Sequence, residues 1–361
     1  GSAMTISSVF SICLIFHPIF ILAQTPVSPC AKRVMCYITN RKNDLSMCQI
    51  LVGWDLEVGK SLDDVVASPK YHVKKGEYGM KWNYLLPETT ALIKNNQGRG
   101  TITLRRITIK HQVQDYEVRY GVWDHYIHNG EFDGIVLHFT DIMHQDFEAV
   151  VSYFHKIIGA HNKPIMIELS VDDSYRRALF EKSNITKIIS GVIVSTVQFN
   201  MDSTVKEPLL PTSLQSPGNF ASLEAISKKW RGYTEIEVFF YLNVYPVAFE
   251  ILKNLSFRPK IMTFDEMQEK EQACKGFFGP KGKHSSLSDT FSLDCSKNVY
   301  IYDTLETLRR KLQRITSEFH LALSTEGLFY ADNSKEMQEL IKTTSCDYRR
   351  VYGVLEKTIE T

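Results

Sequence analysis

The chain has 361 residues, 43% of them hydrophobic and 23% charged, an ordinary globular composition with enough apolar material for one large core or two domains. A formal net charge of +1 leaves no bias toward nucleic acid or anionic membranes. Seventeen tyrosines and twenty phenylalanines argue against disorder.

Residues 1–4, Gly1-Ser2-Ala3-Met4, read as a cloning scar. Residues 5–23 read as a signal peptide. Val9 to Ala23 is apolar, is interrupted by His17-Pro18 and is too short to span a bilayer, and Ala23 before Gln24 offers a cleavage point. No Lys or Arg precedes the apolar run, so a signal anchor or a buried N-terminal segment stands as the alternative. Cleavage would remove Cys13 and leave Cys30, Cys36, Cys48, Cys274, Cys295 and Cys346. An even count after a signal peptide implies disulfides and an extracellular location. No CxxC or HExxH spacing points to a metal, and nothing calls for a cofactor. Asn184-Ile185-Thr186 and Asn254-Leu255-Ser256 are glycosylation sequons, meaningful if the chain is secreted.

Short β-rich runs then recur in order. Arg33–Ile38 and Gln49–Trp54 are the first two. The third is Thr101–Leu104, with Ile107–Ile109 as an alternative register. The fourth lies in Phe132–Asp141, FDGIVLHFTD, whose apolar run after Asp133-Gly134 reads as a buried parallel strand with its functional end at Thr140-Asp141. Pro164–Leu169, Gly191–Thr196, Ile236–Leu242 and His320–Ser324 complete eight. Helical stripes fall between them: Gln145–Ile158, Leu223–Trp230, Leu305–Phe319 with basic residues on its outer face, and Met337–Thr343. Eight βα units fit a TIM barrel or a doubly wound sheet, and eight strands in roughly 300 residues favour the barrel, here 30–346. The interval between strand seven, ending near Phe249, and the helix from Leu305 is too long for a simple crossover. It predicts a small α+β insertion over 253–300 that holds Cys274, Cys295 and a Gly/Lys/Ser-rich tract.

Several of these segments together resemble the glycoside hydrolase family 18 chitinases and chitinase-like lectins. Arg33–Asn40 is similar to the family's VVCYFTNW strand, and Cys48–Val52 to its CTHxIY strand. Phe132–Ile135 matches the start of FDGxDxDxE, and Val194–Phe199 sits where a VMTYDF-like strand is found. Leu242–Phe249 resembles LPFYGRSF, and Asn298–Asp303 resembles WVSYDD. The resemblance implies a Cys36–Cys48 disulfide and leaves three pairings for the other four cysteines. Family members hydrolyse with substrate assistance: a Glu protonates the leaving oxygen, and paired Asp residues orient the attacking acetamido group.

This chain departs from that pattern where the chemistry lies. Alternate strand residues share a face, so the family's last three acids point into the barrel. Here those positions are Val136, His138 and Thr140, and only Asp133 of the motif's acids is kept. A Thr hydroxyl cannot act as a general acid near neutral pH; losing a positioned acid costs about 10²–10⁴-fold in rate. Val197-Gln198 replaces the Tyr-Asp pair that would help hold the acetamido group. Sugar-stacking aromatics are depleted too. Arg41 stands at a Trp position, Arg105-Arg106 follow strand three where a GGW-like element is usual, and Gly327 aligns with the floor Trp unless Phe329 or Tyr330 serves.

Other residues admit two readings each. His138 is either an acid/base or a core histidine satisfied by neighbours, the commoner fate. Asp133 shapes the turn into its strand. Asp141 would replace the missing Glu only if a bulge shifted the strand. Glu168, Asp172 and Asp173 are either a new acidic site or solvated loop acids. Asp332-Asn333 resembles a structural pair in the family, and Lys281-Gly282-Lys283-His284 is a basic patch or a solvated loop. The expectation is therefore a secreted, catalytically inactive chitinase-like protein acting as a binding, signalling or decoy factor on a protein or glycan partner. The alternatives are a chito-oligosaccharide lectin with a remodelled groove and a hydrolase using other carboxylates.

Overall fold

The computed structural model describes residues 32–38, 47–58, 101–109, 132–139, 147–159, 163–169, 184–196, 204–210, 212–215, 222–242, 244–274, 282–295, 297–324 and 334–345. The strands β1 (Val34–Tyr37), β2 (Ile50–Val58), β3 (Ile102–Ile109), β4 (Gly134–Phe139), β5 (Ile165–Leu169), β6 (Gly191–Ser195) and β7 (Glu237–Leu242) pair in parallel sequence. A last strand, His320–Ser324, bonds to both β7 and β1 and closes an eight-stranded barrel. Helix α1 (Phe147–Gly159) follows β4, and α2 (Leu223–Trp230) precedes β7. Ser222 caps α2 by accepting from the Ala225 N–H.

The period-two alternation of the strands sorts their side chains into two cores. Val136 points inward with Met35, Met166, Ile193, Phe239 and Ala322. Ile135, Leu137 and Phe139 point outward to meet the α1 stripe of Val150, Val151, Phe154 and Ile158. Both faces of the strands are apolar because helices cover the outside while side chains fill the middle. Gly134 is demanded by space: a Cβ there would lie 2.3 Å from the Pro164 carbonyl oxygen and 2.7 Å from its ring. Asp133 ties the same corner down, its Oδ2 accepting from the Thr103 N–H at 2.8 Å and from Thr103 Oγ1 at 2.9 Å.

Between β7 and the closing barrel strand lies a second, antiparallel sheet. Its strands are β8 (Val247–Ile251), β9 (Phe257–Ile261), β10 (Lys283–Ser285), β11 (Thr290–Cys295) and β12 (Asn298–Tyr302), in the order β10-β11-β12-β8-β9. Helix α3 (Phe264–Cys274) packs Met267 against Ala248, Leu293, Tyr300 and Tyr302 of this sheet. The Cys274–Cys295 disulfide fastens the end of α3 to β11, and Cys36–Cys48 links β1 to the residues before β2. Helix α4 (Leu305–Thr316) opens on a Thr304–Thr307 capping box, the closing strand β13 (His320–Ser324) follows it, and α5 (Ser334–Ser345) comes last.

Four details differ from the sequence expectation. The two registers proposed for strand three are one strand, β3, so Arg105 and Arg106 lie inside it and do not follow it. Strand seven ends at Leu242; Val247–Ile251 pairs antiparallel with β12 and β9, so the second sheet takes in residues before 253 and runs to Tyr302. The fold of LNVYPVAF explains this, since Pro246 lacks an N–H and separates the two strands. Lys311 lies on the buried side of α4 and not with the exposed basic residues: its ammonium is 2.5 Å from Asp303 Oδ1, and both side chains are buried. Asp303 is also the acceptor for Thr212 and Thr307 hydroxyls, which is what makes a buried lysine tolerable there.

Candidate functional site

Two residues beyond the apolar inner layer, on the same inward face, the barrel changes character. Met35 is followed by Tyr37, Leu104 by Arg106, Val136 by His138, Met166 by Glu168 and Phe239 by Tyr241. These five side chains form a polar layer toward the C-terminal ends of the strands, the end at which TIM barrels carry their chemistry. The β4–β5 register sets His138 directly beside Glu168.

Glu168 is the centre of the layer and is fully buried. Arg106 grips it with a two-pronged guanidinium, Nε to Oε2 at 2.7 Å and Nη2 to Oε1 at 2.8 Å. The Tyr37 hydroxyl donates to Oε2 at 2.9 Å. Arg106 Nη2 also lies 2.9 Å from His138 Nδ1. A guanidinium only donates, so Nδ1 accepts, and the neutral imidazole carries its proton on Nε2. The guanidinium sits 5.9 Å from the Tyr37 ring centroid, and Tyr37 stacks on Tyr241 at 4.4 Å between centroids.

Electrostatics follow from this geometry. Burial pushes the Glu168 carboxyl upward, but the Arg106 guanidinium and the hydrogen bonds from Arg106 and Tyr37 to its oxygens outweigh that and hold it below the ordinary carboxylate range. The Tyr37 phenol is pushed well above its usual value, first by burial and then by the negative charge of Glu168. The layer is thus an ionised carboxylate, a guanidinium, a neutral phenol and a hydrogen-bonded imidazole. Such a carboxylate is a poor general acid near neutral pH, because its proton is already gone.

The sequence candidates distribute as follows. Val136 fills the apolar layer with no exposed surface, and His138 is half-buried in the polar one. Asp133 stands at the opposite end of β4, on Thr103. Glu168 is a strand residue inside the barrel and not a solvated loop acid, because Arg106 neutralises it there. Asn184 and Asn254 are exposed, the first in a 3₁₀ turn and the second at the β8–β9 hairpin, where its Oδ1 accepts from Ser256. His284 bonds Asp289, which also receives Arg310, so this part of the basic tract is tied into the second sheet. Thr140, Val197, Gln198, Cys30, Cys346, Arg41, Asp141, Asp172, Asp173, Lys281, Gly327, Phe329, Tyr330, Asp332 and Asn333 lie outside the described residues. Among the described residues no group of three or more His, Cys, Asp or Glu side chains is placed to hold a metal ion.

Arg106, Tyr37 and Tyr241 escaped the sequence reading as site residues. A signal was present: Arg106 in ITLRRITI and Glu168 in IMIEL are opposite charges embedded in apolar parallel strands, and such charges seldom enter a core unpaired.

No protein-family model and no curated protein matches the chain. Solved chitinase structures do. The Group IV chitinase of Ostrinia furnacalis superposes with a TM-score of 0.57 at 13% identity, covering 87% of this chain and 99% of that one. A class V chitinase from Nicotiana tobaccum gives 0.56 at 10% identity, over 87% and 98%. Chitinase ChiW from Paenibacillus gives 0.60 at 14% identity, over 87% of this chain and 32% of that multi-modular enzyme. At such identities the likeness is one of fold: the chain has the chitinase-like TIM barrel of glycoside hydrolase family 18.

Proposed function

We propose that this chitinase-like protein is secreted, does not hydrolyse chitin, and acts by binding a protein or glycan partner as a signalling or decoy factor. The observation that carries the reading is the state of the polar layer. Where a family 18 enzyme would present carboxyls to the substrate, β4 offers Val136 and His138, and the nearby Glu168 has both oxygens occupied by Arg106 and Tyr37. A carboxylate so held neither donates a proton nor orients an acetamido group. The same observation counts against Glu168 as a replacement acid. Tyr37 and Tyr241 are buried against each other and present no open face for a sugar, which counts against a lectin built on them. Two disulfides are compatible with an extracellular setting. Among the described residues no helix is long and apolar enough to cross a membrane.

The test is incubation of the purified chain with N-acetylglucosamine oligomers, with products followed by mass spectrometry. No cleavage above the uncatalysed background is expected. Turnover that disappears in Glu168→Gln or Asp141→Asn would replace this reading with the hydrolase. Calorimetry on the same oligomers separates the remaining two: saturable heat without cleavage identifies a lectin, and no heat leaves a protein partner.

A further inference from the structure

The second sheet has a feature that the barrel does not explain. Its β9-β8-β12 face is hollow beside α3, a concavity of about 590 Å³. The register defines its walls. Glu250 lies between Arg258 on one side and Asn298 on the other, and Ala248 lies between Lys260 and Tyr300. Alternation puts these residues on one face, while Val247, Phe249 and Ile301 pack on the other. Ala248 is the small residue in the middle row, so the sheet dips between its longer neighbours. Lys270 reaches the hollow from α3, and Lys297 from the residue before β12.

Four cations therefore converge with one carboxylate in a chain whose overall charge is only +1. The ammonium groups of Lys260, Lys270 and Lys297 have no ion pair among the described residues. The Arg258–Glu250 pair is loose, at 3.5 Å with both side chains more than half exposed, and can yield to a better partner. Lysines on β9 alone would be explained by edge protection, since β9 ends the sheet. That does not account for Lys270 and Lys297, which come from other elements to the same hollow.

We infer that this hollow is a binding site for a saccharide carrying oxyanion esters, sulfate or phosphate. The cations match the oxyanions. Glu250 would repel a bare anion, but together with the Asn298 amide it suits sugar hydroxyls. Ala248, Met262 and the buried Tyr300 give an apolar floor for ring C–H groups. The site is separate from the barrel's polar layer and does not depend on the reading of that layer.

Sucrose octasulfate and fructose 1,6-bisphosphate are the probes, with sucrose, inorganic sulfate and hexaglutamate as comparisons, each titrated by calorimetry. At least one sugar ester should bind once per chain, more weakly as salt rises from about 0.05 to about 0.3 M. Glucose 6-sulfate against glucose 6-phosphate, one ester each on the same sugar, then identifies which ester is preferred. The double variant Lys260→Glu with Lys297→Glu should weaken binding about tenfold or more, while Lys156→Glu, a charge reversal on α1, should change it less than about twofold. Thermal melts of the exposed-lysine variants should match the parent, which separates lost binding from lost fold. The proposal is overturned if neither sugar ester binds, if inorganic sulfate or hexaglutamate binds as tightly as both esters, or if Lys156→Glu weakens binding as much as the double variant.

Discussion

Replacing Glu168 by Gln tests whether the polar layer is held by a buried charge pair. Glu168 is fully buried, and the Arg106 side chain keeps 19% of its surface exposed, so both charges are largely removed from water. The substitution keeps the shape of the side chain and removes its charge. It leaves the guanidinium facing a neutral amide whose NH₂ repels one of its own N–H groups. Breaking a buried pair from one side costs about 3–5 kcal/mol, because the surviving charge is uncompensated. With an unfolding entropy of about 2.1 cal/mol/K per residue, a chain of this length has about 0.75 kcal/mol/K in total, so the melting temperature should fall by about 4–7 °C. Removing both charges together, Arg106→Met with Glu168→Leu, should recover most of that loss, since an apolar pair of similar volume does not pay for desolvation. Differential scanning calorimetry of the parent, the single variant and the double variant decides the matter. A Glu168→Gln melt within about 1 °C of the parent, or a double variant no more stable than the single, would refute the reasoning.

Further outcomes follow from other residues. His320 is pushed down to about 4, by burial first and then by Arg33 and Lys32, and its Nδ1 accepts the Arg33 N–H at 2.9 Å where the barrel closes. The unfolded chain takes up this proton near pH 6.5 and the folded chain does not, so stability is lost as pH falls from about 6.5 to about 4. The loss reaches about 2.5 kcal/mol at pH 4.5. His320→Asn keeps an acceptor for Arg33 and should flatten that part of the profile, measured as urea midpoints at pH 7.5 and 4.5. Gly134→Ala must displace Pro164 and should cost about 1–3 kcal/mol or more by the same measurement. Lys311→Met strips the buried Asp303 of its cation and should cost about 3 kcal/mol, whereas Arg309→Met on the exposed face of α4 should stay within about 0.5 kcal/mol.

The barrel was legible because its constraints are periodic or local. A strand buried on both faces must be an apolar run, and the runs around Val34, Val136, Ile167 and Val192 say so directly. Asp133-Gly134 was legible because the corner on Pro164 admits no side chain. The polar layer was hidden for the opposite reason. Arg106 and Glu168 stand 62 positions apart, and β4 lies between their strands, so no local pattern joins them. His138 could be read as a histidine satisfied by neighbours, but its neighbour is a charged residue that the sequence had placed outside the strand. The end of strand seven was misjudged because β8 continues the same apolar character into a different sheet. Periodicity reports that a segment is buried, not which sheet buries it.

The polar layer also bears on what would follow from introducing acids at the family's motif positions, Val136→Asp with His138→Asp and Thr140→Glu. A carboxylate at 138 would replace an acceptor that Arg106 already holds at 2.9 Å. The guanidinium would then lie between two carboxylates, and the new one would be paired and ionised, unable to tune an acid or orient an acetamido group. A carboxylate at 136 would enter the apolar layer among Met35, Met166 and Phe239, where the cation beside it on β3, Arg106, is already engaged by Glu168. The triple variant should therefore fold less stably than the parent and release no product from N-acetylglucosamine oligomers. Adding Arg106→Met and Glu168→Leu should relieve the competition at position 138 and is the background in which any turnover would first emerge. Turnover by the triple variant, absent from the parent, would mean that Arg106 and Glu168 are bystanders and would refute this account of the polar layer.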